Sequence, residues 1–379
     1  MDVRRSVAYI SLSSGGWRSY GGEMVQVTEG GYTGMLNVAR KSMKLYFMRR
    51  IDGDSLNKSL DIVEVDLTKL FADSKAGKLQ SAIAYQRVCG TTPAELQAGG
   101  DMALDGDENW VWFRVGKEEA LKHLDADVRI EPDFGPRKMG AGPAGIAGMN
   151  VKTGEVKYVI SVPFQVGHIQ TNPWVPGQIV FCWETGGKSP QRTWIVNADG
   201  SGLRPLYPEA SFEWVTHEAV ISPDEVAIAI MGHREIKNDT TSIKGTDVNG
   251  ANPGQDSEWG DCGTREKPSG LGIVNINTRE MTIAGQTPSG SGFWHVSGSP
   301  DKRFVVGDDF ARNIYLIDRR THEMILLSAG HKATAADHPH PTFSPDGTKI
   351  QIQSAMLSAD NRSMNICIIP VPEKWLNRK

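Results

Sequence analysis

The chain has 379 residues with a formal net charge of −4, and 23% of its residues are charged, which is typical of a soluble globular protein. This small negative charge excludes a global basic field for nucleic acid, so a polyanionic ligand would need local cations or a metal ion. The 41 glycines and 10 tryptophans favour a fold of many short strands and tight turns.

Targeting signals are weak in this sequence. The start, MDVRRSVAYISLSSGGW, has an apolar run that serines interrupt, and no later stretch is apolar enough to span a bilayer. The four cysteines are scattered and form no Cys-x-x-Cys motif: Cys89, Cys182, Cys262 and Cys367. These features favour a reducing cytoplasm. We therefore expect a cytoplasmic protein with no nucleic-acid, membrane or obligate protein partner.

Strand–turn–strand patterns run along almost the whole chain. The first 30 residues resemble a partial unit of this kind. Complete units open, in chain order, near Thr33, Ala94, His168, His217, His295 and His338. Helical periodicity is nearly absent, and the segment GKEEALKHL near Leu121 is the best candidate for a short helix.

A turn motif recurs before several predicted strands. ISPDEVAIAI begins at Ile221, GSPDKRFVVGD at Gly298 and FSPDGTKIQIQS at Phe343. Repeats of about 40–50 residues with four strands each are typical of a β-propeller. We therefore predict an all-β, seven-bladed β-propeller forming a single domain over residues 1–379. Its first blade is incomplete or closed by the other terminus, and residues 233–269 form a long polar insertion within one blade.

Four consecutive units place a histidine at nearly the same position. His295 and His340 lie four residues before the serine of the turn motif, and His217 lies five residues before it. His168 lies four residues before the equivalent turn at Asn172. Because the innermost strands of a propeller line its central channel, these positions should converge. The alternative is a set of polar residues that only solvate the channel.

The segment DHPHPTFSPDG adds a second histidine to this set. A strand projects residues i and i+2 to the same face, so His338 and His340 would point the same way. Proline is confined to strand edges or strand starts, which favours an exposed edge. Imidazole is a common metal ligand, and histidine with oxygen ligands also suits manganese. Taken alone, a His-x-His motif is more often a polar turn.

A second polar cluster falls on one predicted hairpin: Glu184, Lys188, Gln191 and Arg192. A guanidinium group matches a carboxylate in bidentate geometry, so Arg192 is a candidate for binding an acidic substrate. The alternative for Arg192 is a salt bridge at the rim of the propeller.

Several segments, taken in order, resemble the oligogalacturonate lyase family: VGHIQTNP, QRTWIVNADGSGLRPLYPE, EWVTHEAVISPD and DHPHPTFSPDG. The resemblance covers essentially the whole chain apart from the long insertion and a shortened N-terminus. It implies a seven-bladed propeller that cleaves short pectin-derived galacturonides by β-elimination to 4,5-unsaturated products. It also implies Mn²⁺ or another divalent cation as cofactor, and usually a cytoplasmic location.

Carried over by motif, the resemblance assigns roles to individual residues. The metal ligands fall on His295, His338 and His340. The general base falls on His217 and the substrate arginine on Arg192, and His168 and Gln191 fall at the substrate. We also assign Lys188, from the same predicted hairpin as Arg192, to substrate binding.

The sequence departs from the family pattern at one metal ligand. Ala335 stands where the family has a glutamine ligand, three residues before His338. Water, Asp337 or His331 would have to replace it. The competing interpretation of the chain is a non-catalytic WD40-like propeller that acts as a carbohydrate- or protein-binding scaffold. It predicts channel histidines that bind no ion.

Overall fold

The structure is a computed structural model of the chain. It describes residues 7–9, 24–28, 33–51, 59–131, 140–184, 189–210, 213–231, 269–287 and 292–378. Lys188 and, except for Ser269, the predicted insertion at 233–269 lie outside the described residues.

The strands of the first half of the chain form three four-stranded sheets in chain order. The first contains β3 (Thr33–Ala39), β4 (Lys44–Arg50), β5 (Leu60–Asp66) and β6 (Gln86–Thr91). The second contains β7 (Gly99–Leu104), β8 (Trp110–Val115), β9 (Ala141–Asn150) and β10 (Val156–Phe164). The third contains β11 (Val166–Thr171), β12 (Gln178–Trp183), β13 (Thr193–Asn197) and β14 (Arg204–Pro205).

Three further sheets follow in the second half. The fourth contains β15 (Trp214–Ser222), β16 (Glu225–Met231), β17 (Gly270–Asn275) and β18 (Met281–Gly285). The fifth contains β19 (Phe293–Gly298), β20 (Phe304–Asp309), β21 (Ile314–Asp318) and β22 (Glu323–Ser328). The sixth has three strands, β23 (Thr342–Phe343), β24 (Lys349–Ser354) and β25 (Asn365–Pro370).

The fold is an all-β β-propeller, as predicted, but the predicted number of seven blades is wrong. The residues that the structure describes form six blades, and these begin close to the six predicted unit openings. From the first 30 residues, β1 (Val7–Tyr9) and β2 (Met24–Gln26) pair only with each other, and they do so in parallel. Parallel strands cannot be joined by a tight hairpin, so β1 and β2 do not form the antiparallel pair that a blade requires.

Contacts group the chain into two compact units. The first is drawn from Met1–Ile130, Gly142–Ile179 and Asn197–Ser201, and the second from Glu131–Ala141, Val180–Val196 and Gly202–Lys379. The first two sheets belong to the first unit and the last three to the second, while strands of the third sheet are divided between them. The single domain expected over residues 1–379 stays a prediction.

The recurring turn motif has the same serine–aspartate hydrogen bond in each of its three copies. The serine hydroxyl donates to the aspartate two residues later, at 2.8 Å for Ser222, 2.5 Å for Ser299 and 2.5 Å for Ser344. In the last two copies the same hydroxyl accepts from a backbone N–H at the start of the next strand. Such local side-chain bonds stabilise the turn and explain why the motif marks the hairpins.

Helices are short and few among the described residues. The predicted helix near Leu121 is confirmed as α2 (Lys117–Leu121). The others are α1 (Leu67–Lys75), whose N-cap Asp66 accepts from the backbone N–H of Lys69, and α3 (Glu373–Leu376). In this part of the chain, no helix combines the length and the apolar character needed to cross a bilayer.

The apolar core of the second unit lies between successive sheets. One cluster includes Leu271 and Val305, and another includes Phe304, Leu316 and Ile350. The middle strand β20, FVVGDD, is buried along its whole length. Because apolar groups cover this strand, the two aspartates at its end are buried as well. The first strands of the last three blades, β15, β19 and β23, lie side by side in that order.

Candidate metal centre

Two of the predicted histidines lie at bulges of neighbouring first strands. On β15, Val215 pairs with Ile230 and Glu218 with Ile228, so the stretch that holds His217 has one extra residue. On β19, Phe293 pairs with Asp309 and His295 with Asp308, which again leaves one extra residue. A bulge bends its strand and redirects the side chains next to it. The shared sequence position of these histidines is therefore also a shared local distortion.

Two other histidines of the set have left-handed backbone conformations. His340, just before β23, has φ of 49°, and His168, on β11 in the first unit, has φ of 47°. This region is uncommon for residues other than glycine, and such residues concentrate at functional sites. All four histidine positions thus depart from regular strand geometry.

A buried carboxylate joins two of the predicted metal ligands. The side chain of Asp308 is 0% exposed, and its carboxylate contacts two imidazoles. Nδ1 of His295 lies 3.1 Å from Asp308 Oδ1, and Nδ1 of His338 lies 3.1 Å from Oδ2. The backbone N–H of His295 also donates to Asp308 Oδ1 at 2.9 Å. Asp308 was absent from the predicted site. The only signal in the sequence was an Asp-Asp pair ending an apolar strand.

The third predicted ligand lies against the first. The rings of His295 and His340 stack with centroids 3.5 Å apart. Nε2 of His340 lies 3.1 Å from Asp337 Oδ2, and the amide of Gln353 donates to the same oxygen at 3.2 Å. Of the residues considered as replacements at Ala335, Asp337 thus lies beside a predicted ligand.

The other replacement considered, His331, is engaged elsewhere. Its Nδ1 lies 2.8 Å from the hydroxyl of Ser354, and its Nε2 lies 3.1 Å from the hydroxyl of Ser328. Both ring nitrogens are therefore in contact with hydroxyl groups, and the side chain is buried. His331 would have to give up one of these bonds to bind an ion.

Aromatic side chains enclose the imidazoles. The ring of His217 lies 4.2 Å from His295 and 5.2 Å from Trp294, measured between centroids. Trp294 stacks on His338 at 5.4 Å and contacts Phe310 edge to face at 5.0 Å. The structure therefore brings together four of the predicted site histidines, although their individual roles remain predictions. Trp294 is a neighbour that the sequence analysis did not identify.

The charges of the cluster favour a bound cation. Burial lowers the pKa of His295, against the opposing effect of Asp308, so this imidazole stays neutral. Burial alone would raise the pKa of Asp308, but His295 and His338 hold it well below its usual range. Burial likewise opposes ionisation of Asp337, yet His340 helps to lower its pKa to about 2. Neutral imidazoles beside ionised carboxylates are the protonation states that metal binding requires.

These residues fit a divalent cation. Potential ligand atoms of His295, Asp308 and His338 all lie within 4.8 Å of one another. Nitrogen and oxygen donors without a thiolate suit manganese, zinc or iron rather than a soft metal. This group contains two of the three ligands expected from the sequence, His295 and His338, together with Asp308, while His340 lies beside it against His295.

Arg192 is buried and surrounded by acidic groups. Its side chain is 4% exposed, so the ion pairs that it forms are buried ones. Nη2 lies 3.7 Å from Glu184 and Nε lies 3.6 Å from Glu218, which directly follows His217 on β15. Burial would lower the pKa of Arg192, but the acidic neighbours raise it further above its usual value. A permanent cation thus lies beside Glu218, the residue that follows His217 in the chain.

The remaining predicted substrate residues have different surroundings. The amide nitrogen of Gln191 donates to Glu209 Oε1 at 3.0 Å and to the carbonyl of Tyr207 at 3.1 Å, and its oxygen accepts from the backbone N–H of Glu209. These bonds tie Gln191 to its own hairpin, and a substrate contact there stays a prediction. Lys188 lies outside the described residues, and His168 belongs to the first unit.

This geometry defines a class of protein: a β-propeller with imidazoles and a buried carboxylate gathered where neighbouring blades meet. Solved structures of the same fold include an oligogalacturonate lyase in complex with manganese, with 16% identity and a TM-score of 0.64. An oligogalacturonate lyase from Vibrio parahaemolyticus has 18% identity and a TM-score of 0.62. Each alignment covers 93% of this chain and 81% of the other.

These likenesses confirm, at the level of the fold, the resemblance seen in the sequence. At 16% and 18% identity they establish the fold alone. No protein-family model and no curated protein matches the chain.

Proposed function

We propose that the protein is a metal-dependent lyase that cleaves short uronate oligosaccharides, namely oligogalacturonides, by β-elimination. The observation that carries the proposal is the group of His295, Asp308 and His338, with His217 lying against His295. β-Elimination at a uronate needs a cationic anchor for the sugar carboxylate and a separate base for the C5 proton. The cluster supplies residues for both.

Mn²⁺ or a similar divalent cation, when bound, would neutralise the negative charge that develops on the uronate carboxyl group. His295, His338 and His340 would hold it. Arg192 would bind the same carboxylate, where a fixed cation stabilises the charge as it grows. Its present neighbours Glu184 and Glu218 keep the guanidinium in place before substrate arrives.

His217 would act as the general base. A neutral imidazole can take the C5 proton, and the C–H electron pair then forms the C4–C5 double bond. The bond between C4 and its glycosidic oxygen breaks, and the leaving oxygen takes up a proton. The product is a 4,5-unsaturated uronate. Trp294 packs beside His217 and His338 and would cover one side of these imidazoles.

We place this enzyme in the cytoplasm, with a role in pectin breakdown. Its partner is the oligouronide substrate, with no nucleic-acid, membrane or obligate protein partner. These statements follow from the sequence features and the family resemblance given above.

The test is the ultraviolet absorbance of the conjugated double bond formed by elimination. Purified protein is incubated with oligogalacturonides and with oligomers of other uronates, each with and without added Mn²⁺. Product that requires the ion and is lost in His217→Ala supports the proposal. If no uronate yields product while the protein binds Mn²⁺ stoichiometrically, the proposal is wrong. A non-catalytic scaffold then becomes the better account.

A further inference from the structure

The contacts of the Asp308 carboxylate differ from those of an ordinary metal ligand. It lies at the end of β20, opposite His295 on β19, and is fully buried. Oδ1 faces Nδ1 of His295 and also accepts the backbone N–H of His295, while Oδ2 lies 3.1 Å from Nδ1 of His338 and 3.3 Å from Nδ1 of His295. An ionised carboxylate has only acceptor positions, so each facing Nδ1 must carry a proton.

This requirement decides the tautomer of both imidazoles. A neutral imidazole has one N–H and one lone pair, so a proton on Nδ1 leaves the lone pair on Nε2. Stacking of His338 on Trp294 restrains the plane of its ring. Contact with Asp308 then decides which ring nitrogen faces away from the carboxylate.

We propose that Asp308 is a positioning residue that holds His295 and His338 as Nδ1–H tautomers and so offers both Nε2 lone pairs to one divalent cation. The inference rests on the proposed metal site and adds a carboxylate that acts through the ligands. Such carboxylate–imidazole–metal arrangements fix ring orientation and raise ligand basicity. The competing possibility is direct ligation by Asp308, with the imidazoles bound through Nδ1.

The next residue provides a matched control. Asp309 is also buried at the end of β20, but its carboxylate accepts from the backbone N–H and side-chain amide of Asn313, at 2.8 and 3.1 Å. It therefore caps a turn, whereas the contacts to the imidazoles of His295 and His338 are made by Asp308. Asp309→Asn should perturb the same strand end without altering a tautomer.

Asp308→Asn replaces one carboxylate oxygen by an amide nitrogen and keeps the shape of the side chain. The amide oxygen can accept from one Nδ1–H, but the amide nitrogen can only donate. The second imidazole must then accept at Nδ1 and carry its proton on Nε2, where it can no longer bind a metal ion. One ligand is lost although neither histidine has changed.

The first experiment is ¹⁵N NMR of metal-free protein labelled at histidine, at about pH 8, where ordinary imidazoles are neutral. Signals are assigned with His295→Gln and His338→Gln. We expect Nδ1–H tautomers at both positions in the wild type, one conversion in Asp308→Asn and none in Asp309→Asn. Nε2–H at either position in the wild type overturns the inference, whether or not Asp308→Asn folds.

The second experiment separates positioning from ligation. Zn²⁺ serves as a diamagnetic probe, and both Nδ1–H protons should persist in the loaded protein. Their loss would show Nδ1 ligation and overturn the inference. Titration with Mn²⁺ should give an affinity roughly 10–100-fold weaker in Asp308→Asn and unchanged in Asp309→Asn. An Asp308→Asn protein with wild-type affinity would also overturn it. Absence of lyase activity would count against the proposed reaction and leave these results untouched.

Discussion

The imidazoles of His217 and His295 lie against each other, with ring centroids 4.2 Å apart and planes inclined by 47°, although they belong to different blades. His295 is bound to Asp308 and belongs to the candidate metal group, whereas His217 does not belong to it. In the proposed mechanism this pair divides into a metal ligand, His295, and a general base, His217.

Replacing His217 tests that division. Because a general base contributes about 10²–10⁴-fold, His217→Ala should lower kcat by a factor in this range with unchanged metal content. The control is His322→Ala, a histidine of the same unit whose Nδ1 contacts the carbonyl of Ala284. Near-normal turnover with a lowered Tm would reject the catalytic role and direct attention to His168.

Metal binding should depend on the two histidines of the His-x-His motif. The double variant His338→Ala/His340→Ala should lose stoichiometric Mn²⁺ in elemental analysis, because two of three imidazole ligands are gone. His331→Ala is the control, since its ring nitrogens contact Ser354 and Ser328. Retention of a full equivalent of metal by the double variant would show that the site lies elsewhere.

The same site should respond to pH. Protons compete for imidazole lone pairs, so Mn²⁺ affinity should fall as the pH drops below roughly 6.5. Burial lowers the pKa of His295, so this ligand should be protonated at a lower pH than an exposed imidazole. Titrations with Mn²⁺ at a series of pH values above and below about 6.5 would measure how the affinity falls. An affinity independent of pH would contradict imidazole ligation.

The substitution Ala335→Gln should strengthen metal binding. It restores an amide oxygen at the position where the sequence departs from the family pattern, three residues before His338. Asp337 contacts His340 nearby, so Asp337→Asn measures whether that carboxylate already serves the ion. If Ala335→Gln leaves the Mn²⁺ affinity unchanged while Asp337→Asn lowers it, Asp337 already supplies the ligand that Ala335 lacks.

Arg192→Ala should raise KM and lower kcat, since its guanidinium would contact the substrate carboxylate in both ground and transition states. It should also lower Tm, because Glu184 and Glu218 lose a buried cation. Arg319→Ala, which removes an ion pair with Glu225, is the control for stability alone. Equal Tm losses with unchanged kinetics in both variants would give Arg192 a purely structural role.

The hairpin that carries Arg192 should make stability depend on pH. Burial raises the pKa of Glu209 to about 8, so the folded state binds its proton more tightly than the unfolded chain does. The resulting stability is present below the ordinary carboxyl pKa of about 4.3 and is lost as pH rises through 8. Glu209→Gln should therefore have a higher Tm than the wild type at about pH 9 and lose that advantage near pH 5. A constant difference would contradict this account.

Local patterns in the sequence were sufficient for the repeat and for the histidine positions. The serine–aspartate turns form the expected hydrogen bonds, as at Ser299 and Asp301, and the blades open near the predicted residues. Turn chemistry and strand alternation act between neighbours in the chain, so they can be interpreted without a fold. The same reasoning brought His217, His295, His338 and His340 to one place.

The sequence by itself thus determined the strand–turn repeat and which histidines share a position. Only the tertiary structure decided that β1 and β2 pair in parallel and add no blade. It also decided that Asp308 lies between His295 and His338, and that Arg192 is buried beside Glu218. Each of these depends on pairing between segments distant in the chain, and in the case of Asp308 on a bulge that shifts register by one residue. A one-residue shift exchanges the faces of a strand, so local propensity cannot predict which side chains meet.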